Sequence, residues 1–348
     1  MSAHLDDLGW DDAWAAQLSA LAASRPDLTE QVQRPARVAR TDRGRCVVHT
    51  AEDICHAELG PSLDPAPTTG DWVLLDDART VRAVLPRRTC VMRGAGRGDT
   101  RGQVLAANVD VLFVVAALSE GPNLSRLERL LALAWESGAR PVVLLTKSDL
   151  SSTVESERAE VSQIAPGIDV IAASARTGEG LEDLRSTLAH GTTGALIGPS
   201  GSGKSSLVNA LLGTDLLPTS DLRDDGKGRH TSTARELVAL PWGAVLLDTP
   251  GLRGVQLWDA ADGIERTFSD VESLAEQCRF TDCAHRGEPG CAIAAAVADG
   301  SLAQRRLASW EKLRREQSWL ASRYDARLRA EQRRRWKDLS KQSRQRGR

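Results

Sequence analysis

No stretch of this sequence stays apolar long enough to cross a bilayer. Val111–Leu118 places eight apolar residues in a row, far short of the roughly 20 that a spanning helix needs. The N-terminal residues include Asp6, Asp7, Asp11 and Asp12, where a secretory signal would carry positive charge and then an apolar stretch. A cytoplasmic protein with no membrane partner is therefore expected. The cysteine density of a disulfide framework is also missing. Six cysteines in 348 residues fall into a dispersed trio (Cys46, Cys55, Cys90) and a tight one (Cys278, Cys283, Cys291), a grouping that suggests a metal site.

Net charge is nearly absent, at −2, but it is unevenly spread. Residues 301–348 hold 16 Lys and Arg against 5 Asp and Glu, so the tail carries +11 and the first 300 residues −13. A basic field of that size favours a polyanion, nucleic acid above all, with a solvated basic tail as the plainer alternative. Trp310, Trp319 and Trp336 are interleaved in this tail. Helical tryptophans more often join a core than stack on bases, so only phosphate contacts are expected, from the arginines.

The length suits two or three domains, and 41% hydrophobic content suffices for ordinary cores. Residues 1–33 form an N-terminal extension with a short helix candidate, Trp14 to Ala23. Residues 34–92 break into short β-rich runs (Arg45 to Thr50, Trp72 to Leu75, Val81 to Leu85) set off by Gly, Pro and Asp. That pattern suits a small closed barrel of the OB type. Gly94 to Gly102 reads as a linker or loop. Strand and helix patterns then alternate: Val109 to Ala117, a helix opened by the capping box Ser125-Arg126-Leu127-Glu128, Pro141 to Leu145, Val154 to Ile164, Ile168 to Ala172, and Leu181 to Leu188. Such alternation predicts a parallel sheet with ligands beyond the carboxyl ends of its strands. The expected fold class is thus multidomain α/β. An N-terminal barrel precedes a nucleotide-binding domain over residues 93–257 and a mostly helical, metal-binding domain over residues 258–348.

The chemistry concentrates at strand ends. Ala195-Leu196-Ile197 leads into Gly198-Pro199-Ser200-Gly201-Ser202-Gly203-Lys204-Ser205, which fits GxxxxGKS and opens a helix predicted from Ser206 to Leu212. In that context backbone N–H groups converge on phosphate oxygens, Lys204 reaches the β- and γ-phosphates, and Ser205 offers its hydroxyl to Mg²⁺; Ser206 follows in the first helical turn. Two upstream strand ends carry Thr146-Lys147-Ser148-Asp149 and Ser174-Ala175-Arg176, similar to the NKxD and SAK base-recognition loops of GTPases. Guanine presents N1–H and a 2-amino group that one carboxylate, Asp149, can accept together; adenine cannot supply this pair. Lys147 would lie along the base, and the Ala175 N–H could donate to guanine O6. Thr146 stands where Asn is usual, and its hydroxyl can take over part of the bracing.

Downstream, Thr214 to Thr233 has the composition of a switch loop. It includes Gly228-Arg229-His230-Thr231, and Thr231, Ser232 or Thr233 could sense the γ-phosphate through Mg²⁺, Thr231 being favoured. A hairpin, Arg235 to Leu240 and Gly243 to Leu247, ends at Asp248-Thr249-Pro250-Gly251. This fits DxxG: Asp248 can hold Mg²⁺ through water, and the Gly251 N–H can meet the γ-phosphate. Cys278, Cys283, His285 and Cys291, spaced Cx₄CxHx₅C, have the donor set of a closed structural zinc site.

The base-recognition loops precede the phosphate loop, the reverse of ordinary GTPases. With this permuted order, the upstream barrel, Gln103-Val104-Leu105-Ala106-Ala107-Asn108-Val109-Asp110, GPSGSGKSS, GRHT, DTPG and the Cys/His cluster, the chain resembles the ribosome small-subunit-dependent GTPase A family, also called YjeQ. The resemblance covers about residues 35–300. It implies a monomeric GTPase that binds the small ribosomal subunit and its rRNA, assists late maturation, and cycles between GTP and GDP with one Zn²⁺ and with Mg²⁺. Leu252 sits where many GTPases place a water-orienting Gln, and the resemblance suggests His230 for that task, a solvent-facing loop histidine being the alternative. Two rival readings are a permuted GTPase acting on another ribosomal particle and a zinc-bearing RNA-binding protein whose nucleotide site is regulatory.

Overall fold

The computed structural model describes residues 4–25, 28, 34–61, 63–94, 103–214, 236–248 and 260–320. Contacts divide the chain into two compact units, Met1–Met92 with Gln103–Val255, and Arg93–Gly102 with Gln256–Arg348.

The first unit begins with a 3₁₀ turn, Leu5–Leu8, and helix α1 (Asp12–Ser24), whose first amides are capped by the Asp11 carboxylate accepting from Trp14 N at 2.8 Å. Strands β1 (Arg34–Asp42), β2 (Arg45–His49), β3 (Ile54–Leu59), β4 (Trp72–Leu75) and β5 (Thr80–Val84) close into a barrel in the order β1-β2-β3-β5-β4, with β3 and β5 parallel. This is an OB-like barrel, as the short-strand pattern predicted. Alternate residues point inward, so Ala36, Val38, Cys46, Val48, Cys55, Ala57, Val73, Leu75 and Val81 form its core. A two-stranded ribbon, β6 (Cys90–Arg93) with β7 (Gln103–Ala107), follows.

The second layer is a six-stranded sheet: β8 (Val111–Ala117), β9 (Arg140–Thr146), β10 (Val170–Ala173), β11 (Thr193–Ile197), β12 (Glu236–Ala239) and β13 (Val245–Asp248), in the order β10-β9-β8-β11-β13-β12. All pairs are parallel except the edge pair β12–β13. β8 is near-continuously apolar because helices cover both sheet faces. α2 (Leu124–Glu136), α3 (Val154–Ile164), α4 (Leu181–Thr187) and α5 (Lys204–Leu212) alternate with strands β8 to β11, and Leu184, Leu188, Leu207 and Val208 meet Phe113, Val142, Leu144 and Leu246 in one core. Chain order reverses between β8 and β11, so the carboxyl ends of these two neighbours flank the crevice where open α/β sheets hold ligands.

Several boundaries shift by one or two residues from expectation, and two of the shifts have a plain local cause. Helix α2 starts ahead of the predicted capping box, because Asn123 accepts from Arg126 N at 3.0 Å and takes the cap before Ser125 can. Helix α5 begins at Lys204, two residues before the predicted Ser206, since Gly203 adopts φ 82 and turns the chain directly into it.

Barrel, sheet and N-terminal segment meet at Arg37. Its guanidinium is 1% exposed and donates to Leu8 O (3.1 Å), Asn108 O (3.0 Å) and Thr193 Oγ1 (3.1 Å), with the Trp72 ring 5.0 Å from its centre. Burial lowers its pKa to about 10, so it remains charged at neutral pH. Trp10 meets Trp72 edge-on at 4.7 Å, and Arg88 covers Trp14 at 3.9 Å while pairing with Asp11 at 2.6 Å. Residues 4–25, to which the sequence alone assigned no role, are thus part of the junction.

In the second unit, α6 (Ala261–Thr267), α7 (Ser269–Ala275), α8 (Ala292–Ala298) and a helix over 304–320, α9, pack together. Here two of the arginines expected to meet phosphates have partners within the unit. Arg306, 4% exposed, donates to both Asp270 oxygens at 2.8 Å and to Thr267 O, and Arg314 pairs with Glu272, which also accepts from Trp310 Nε1 at 2.8 Å. Trp310 is core, as anticipated for a helical tryptophan, whereas Trp319 is exposed. Trp336 and the rest of the basic tail lie outside the described residues.

Replacing Arg37 by Met leaves two buried carbonyls and a hydroxyl without their donor. The expected loss is about 2–4 kcal/mol of stability, seen as a lower urea midpoint. Arg37→Lys should recover only part of it, because one ammonium cannot reach acceptors on three segments.

Candidate active site and metal cluster

Three loops leave neighbouring strands of the sheet and converge. The loop Gly198–Gly203 joins β11 to α5, so the α5 N-terminal amides at Lys204, Ser205 and Ser206 lie against it. Gly198 tolerates no side chain: a Cβ there would stand 2.6 Å from Val115 O. Pro199, Ser200, Gly201 and Ser202 complete the turn, with Ser202 Oγ donating to Pro199 O at 2.9 Å. The Lys204 ammonium donates to Gly198 O (3.1 Å), Pro199 O (2.7 Å) and Ser202 Oγ (3.3 Å). It is therefore held against the loop by that loop's own carbonyls.

The residues that the sequence pattern assigns to base recognition lie at the end of β9 and just after β9 and β10. Thr146 Oγ1 donates to Ser202 O at 2.6 Å and lies 3.3 Å from Ala116 O. This one bond ties the loop after β9 to the phosphate loop. Lys147 adopts φ 58, and its Cε passes 4.0 Å from the position a Cβ on Gly203 would take, so its stem lies across the glycine turn. Ser148 Oγ donates to Glu179 at 3.0 Å. Asp149 accepts from Ser174 Oγ at 2.6 Å on one oxygen and from Arg176 at 2.6 Å on the other. Those contacts, Ser174 first, hold its carboxyl below the usual 3.8. The Ser174 hydroxyl oxygen in turn accepts from the N–H groups of Arg176 and Thr177, both at 3.2 Å, which sets the turn that carries Ala175.

A cleft of about 690 Å³ is lined by Thr146, Lys147, Asp149 and Ala175 on one side and by Gly203 and Ser206 on the other. Its volume suits a nucleotide-sized ligand. Asp248 ends β13, in register beside Leu196 and hence close to the start of the phosphate loop. Thr231, His230 and Gly251 lie outside the described residues.

In the second unit, the ligand atoms of Cys278, Cys283, His285 and Cys291 all lie within 4.8 Å of one another. Three of the separations are 3.6 Å (Cys278 Sγ to His285 Nδ1), 3.7 Å (Cys291 Sγ to His285 Nδ1) and 3.9 Å (Cys278 to Cys291). A tetrahedral ion with bonds of roughly 2.3 Å to sulfur and 2.0–2.1 Å to nitrogen would set such edges at roughly 3.5–3.8 Å. The cluster fits a metal ion. Glu288, which the spacing did not single out, accepts from Arg286 N (2.6 Å) and Ala284 N (3.1 Å) and lies 3.7 Å from Cys283 Sγ. It shapes the turn that bears two of the ligands.

The family model for the RsgA GTPase matches residues 84–258. A small ribosomal subunit biogenesis GTPase RsgA from Streptomyces coelicolor is 47% identical over 344 residues, covering 96% of this chain and 92% of that protein. The chain belongs to the RsgA GTPase family. An RsgA protein of the same description from Streptomyces avermitilis is 48% identical, with 94% and 90% coverage. Among solved structures, YjeQ from Thermotoga maritima aligns with a TM-score of 0.60 at 23% identity, covering 82% of this chain and 98% of that one. YloQ, a circularly permuted GTPase, aligns at 0.57 and 21%, covering 82% and 95%. These two likenesses concern the fold, and they agree with the permuted order read from the motifs. As an RsgA GTPase, the chain is a GTP hydrolase.

Two measurements test this geometry. Thr146→Val removes the bond between loops and should weaken mant-GDP binding about tenfold, with Thr146→Asn near wild type, in a fluorescence titration. Because Asp149 is held below 3.8, it is still a carboxylate at pH 5. A depressed pKa loses its contribution only as pH falls through the lowered value, so the preference for GDP over ADP should stay unchanged from pH 8 to pH 5.

Proposed function

We propose that this chain is a GTPase acting in maturation of the small ribosomal subunit, binding that subunit and its rRNA and timing its own release by hydrolysing GTP to GDP and phosphate. The supporting observation is a cleft lined by Asp149 and by Gly203, the last glycine of the phosphate loop, with Thr146 bonded to Ser202 O beside it. The relatives that match over nearly the whole chain carry the corresponding description.

Each residue then has a task. Asp149 accepts the guanine N1–H and 2-amino groups, Lys147 lies along the base, and the Ala175 N–H meets O6. Ser148 and Ser174 hold these loops in shape. The amides of Gly198 to Gly203 and of the α5 N-terminus cradle the phosphates, while the Lys204 ammonium offsets charge that builds on the β–γ bridge as it breaks. Ser205, Asp248 and Thr231 are the residues that would hold Mg²⁺, which supplies further charge neutralisation on the phosphate oxygens. The water must be aligned on the γ-phosphate without a Gln after DxxG, since Leu252 occupies that position. His230 is proposed to orient it, completed by contact with the ribosome. The Cys₃His cluster is proposed to hold one structural Zn²⁺, because four protein donors leave no coordination position for water.

Slow intrinsic turnover of GTP, accelerated by purified small subunits but not by large ones and absent with ATP, is the expected result of a phosphate-release assay. Lys204→Ala should abolish the stimulated rate; full activity in that variant would refute the phosphate-loop assignment. For the metal, one Zn²⁺ per chain should be released on thiol titration. Glu288→Ala should weaken zinc retention about 10- to 100-fold against a chromogenic chelator.

A further inference from the structure

The base pocket contains a cation that competes with its own ligand. Asp149 is nearly buried, its side chain 10% exposed, whereas the Arg176 guanidinium that contacts it is 72% exposed. One carboxylate oxygen accepts from the Ser174 hydroxyl and the other is 2.6 Å from Arg176 Nη2. Both residues line the same cleft. Ser174 approaches from the loop's interior and its hydroxyl oxygen is fixed by two backbone N–H groups, so it can remain in place when a base arrives. Arg176 reaches Asp149 from the solvent side, with a long side chain free to swing into water. A guanine edge brings two N–H donors to one carboxylate, and the oxygen that Arg176 holds is one that this edge requires.

We propose that Arg176 is an intramolecular competitor for the guanine-recognising carboxylate. It occupies Asp149 in the absence of a base, must be displaced for a guanine nucleotide to enter, and recloses as the nucleotide leaves. The proposal rests on the assignment of Asp149 to guanine. Its consequence is a lowered affinity and a slower association of GDP built into the chain itself. The penalty is bounded by the strength of a half-exposed ion pair, a modest factor that a few degrees of freedom in one side chain can set. A base contact by Arg176, such as stacking on the purine, would have the opposite sign, because removing it would weaken binding.

Stopped-flow binding of mant-GDP to the full chain separates these cases. Arg176→Ala should bind about three- to fivefold more tightly, mainly through faster association, and Arg176→Lys should stay near wild type. Asp149→Asn should move preference from guanine to xanthine nucleotides. In that background Arg176→Ala should change mant-XDP affinity by less than about twofold, because the carboxylate it competes for is gone. Weaker or unchanged mant-GDP binding by Arg176→Ala overturns the proposal while a normal Asp149→Asn switch leaves the guanine pocket intact. An equal gain in both backgrounds also overturns it. If Asp149→Asn fails to change base preference, the pocket assignment itself falls and the proposal falls with it.

Discussion

A buried positive charge sets the framework of the first unit. Taking a guanidinium out of water is costly, and Arg37 offsets that cost with donors to three backbone or hydroxyl oxygens and the face of Trp72. Those acceptors belong to separate parts of the chain: the N-terminal turn, the approach to β8, and the first residue of β11. Because β11 runs straight into the phosphate loop, the barrel and the nucleotide cleft share one anchor. A second bond reinforces it, Asp110 Oδ2 accepting from Thr193 N at 2.7 Å. The barrel is thus positioned from the same strand starts that position the site.

At the other end of those strands, the chemistry depends on how loops far apart in sequence hold one another. Thr146 and Ser202 are 56 residues apart, yet one short hydrogen bond joins them. The usual amide at this position offers two N–H donors; a hydroxyl has a single proton, and here that proton goes to the phosphate loop. Asp149 is likewise held by residues of a different loop. The permuted chain order leaves this arrangement intact, because strand order in space, and not in sequence, decides which loops meet.

The second unit shows how a basic tail can be partly structural. Arg306 and Arg314, counted in sequence among groups available to a polyanion, are committed to Asp270 and Glu272 within the unit. A charge sum cannot distinguish an arginine that faces solvent from one that closes a helix pair. The Cys/His spacing was more informative, since four strong ligand types within a short segment have few other ways to be satisfied.

By itself the sequence determined the order of elements, the closed small barrel, the parallel sheet, the phosphate loop and the cysteine cluster, because periodicity, glycine spacing and donor type act over a few residues. It also implied that Asp149 and Lys204 serve one ligand. Only the tertiary structure decided the role of residues 4–25, the choice of Asn123 over Ser125 as a helix cap, the work of Glu288 and the contact of Arg176 with Asp149. Each of these depends on which side chain arrives first at a shared partner, and that competition is settled by distances across the fold, which no local pattern records.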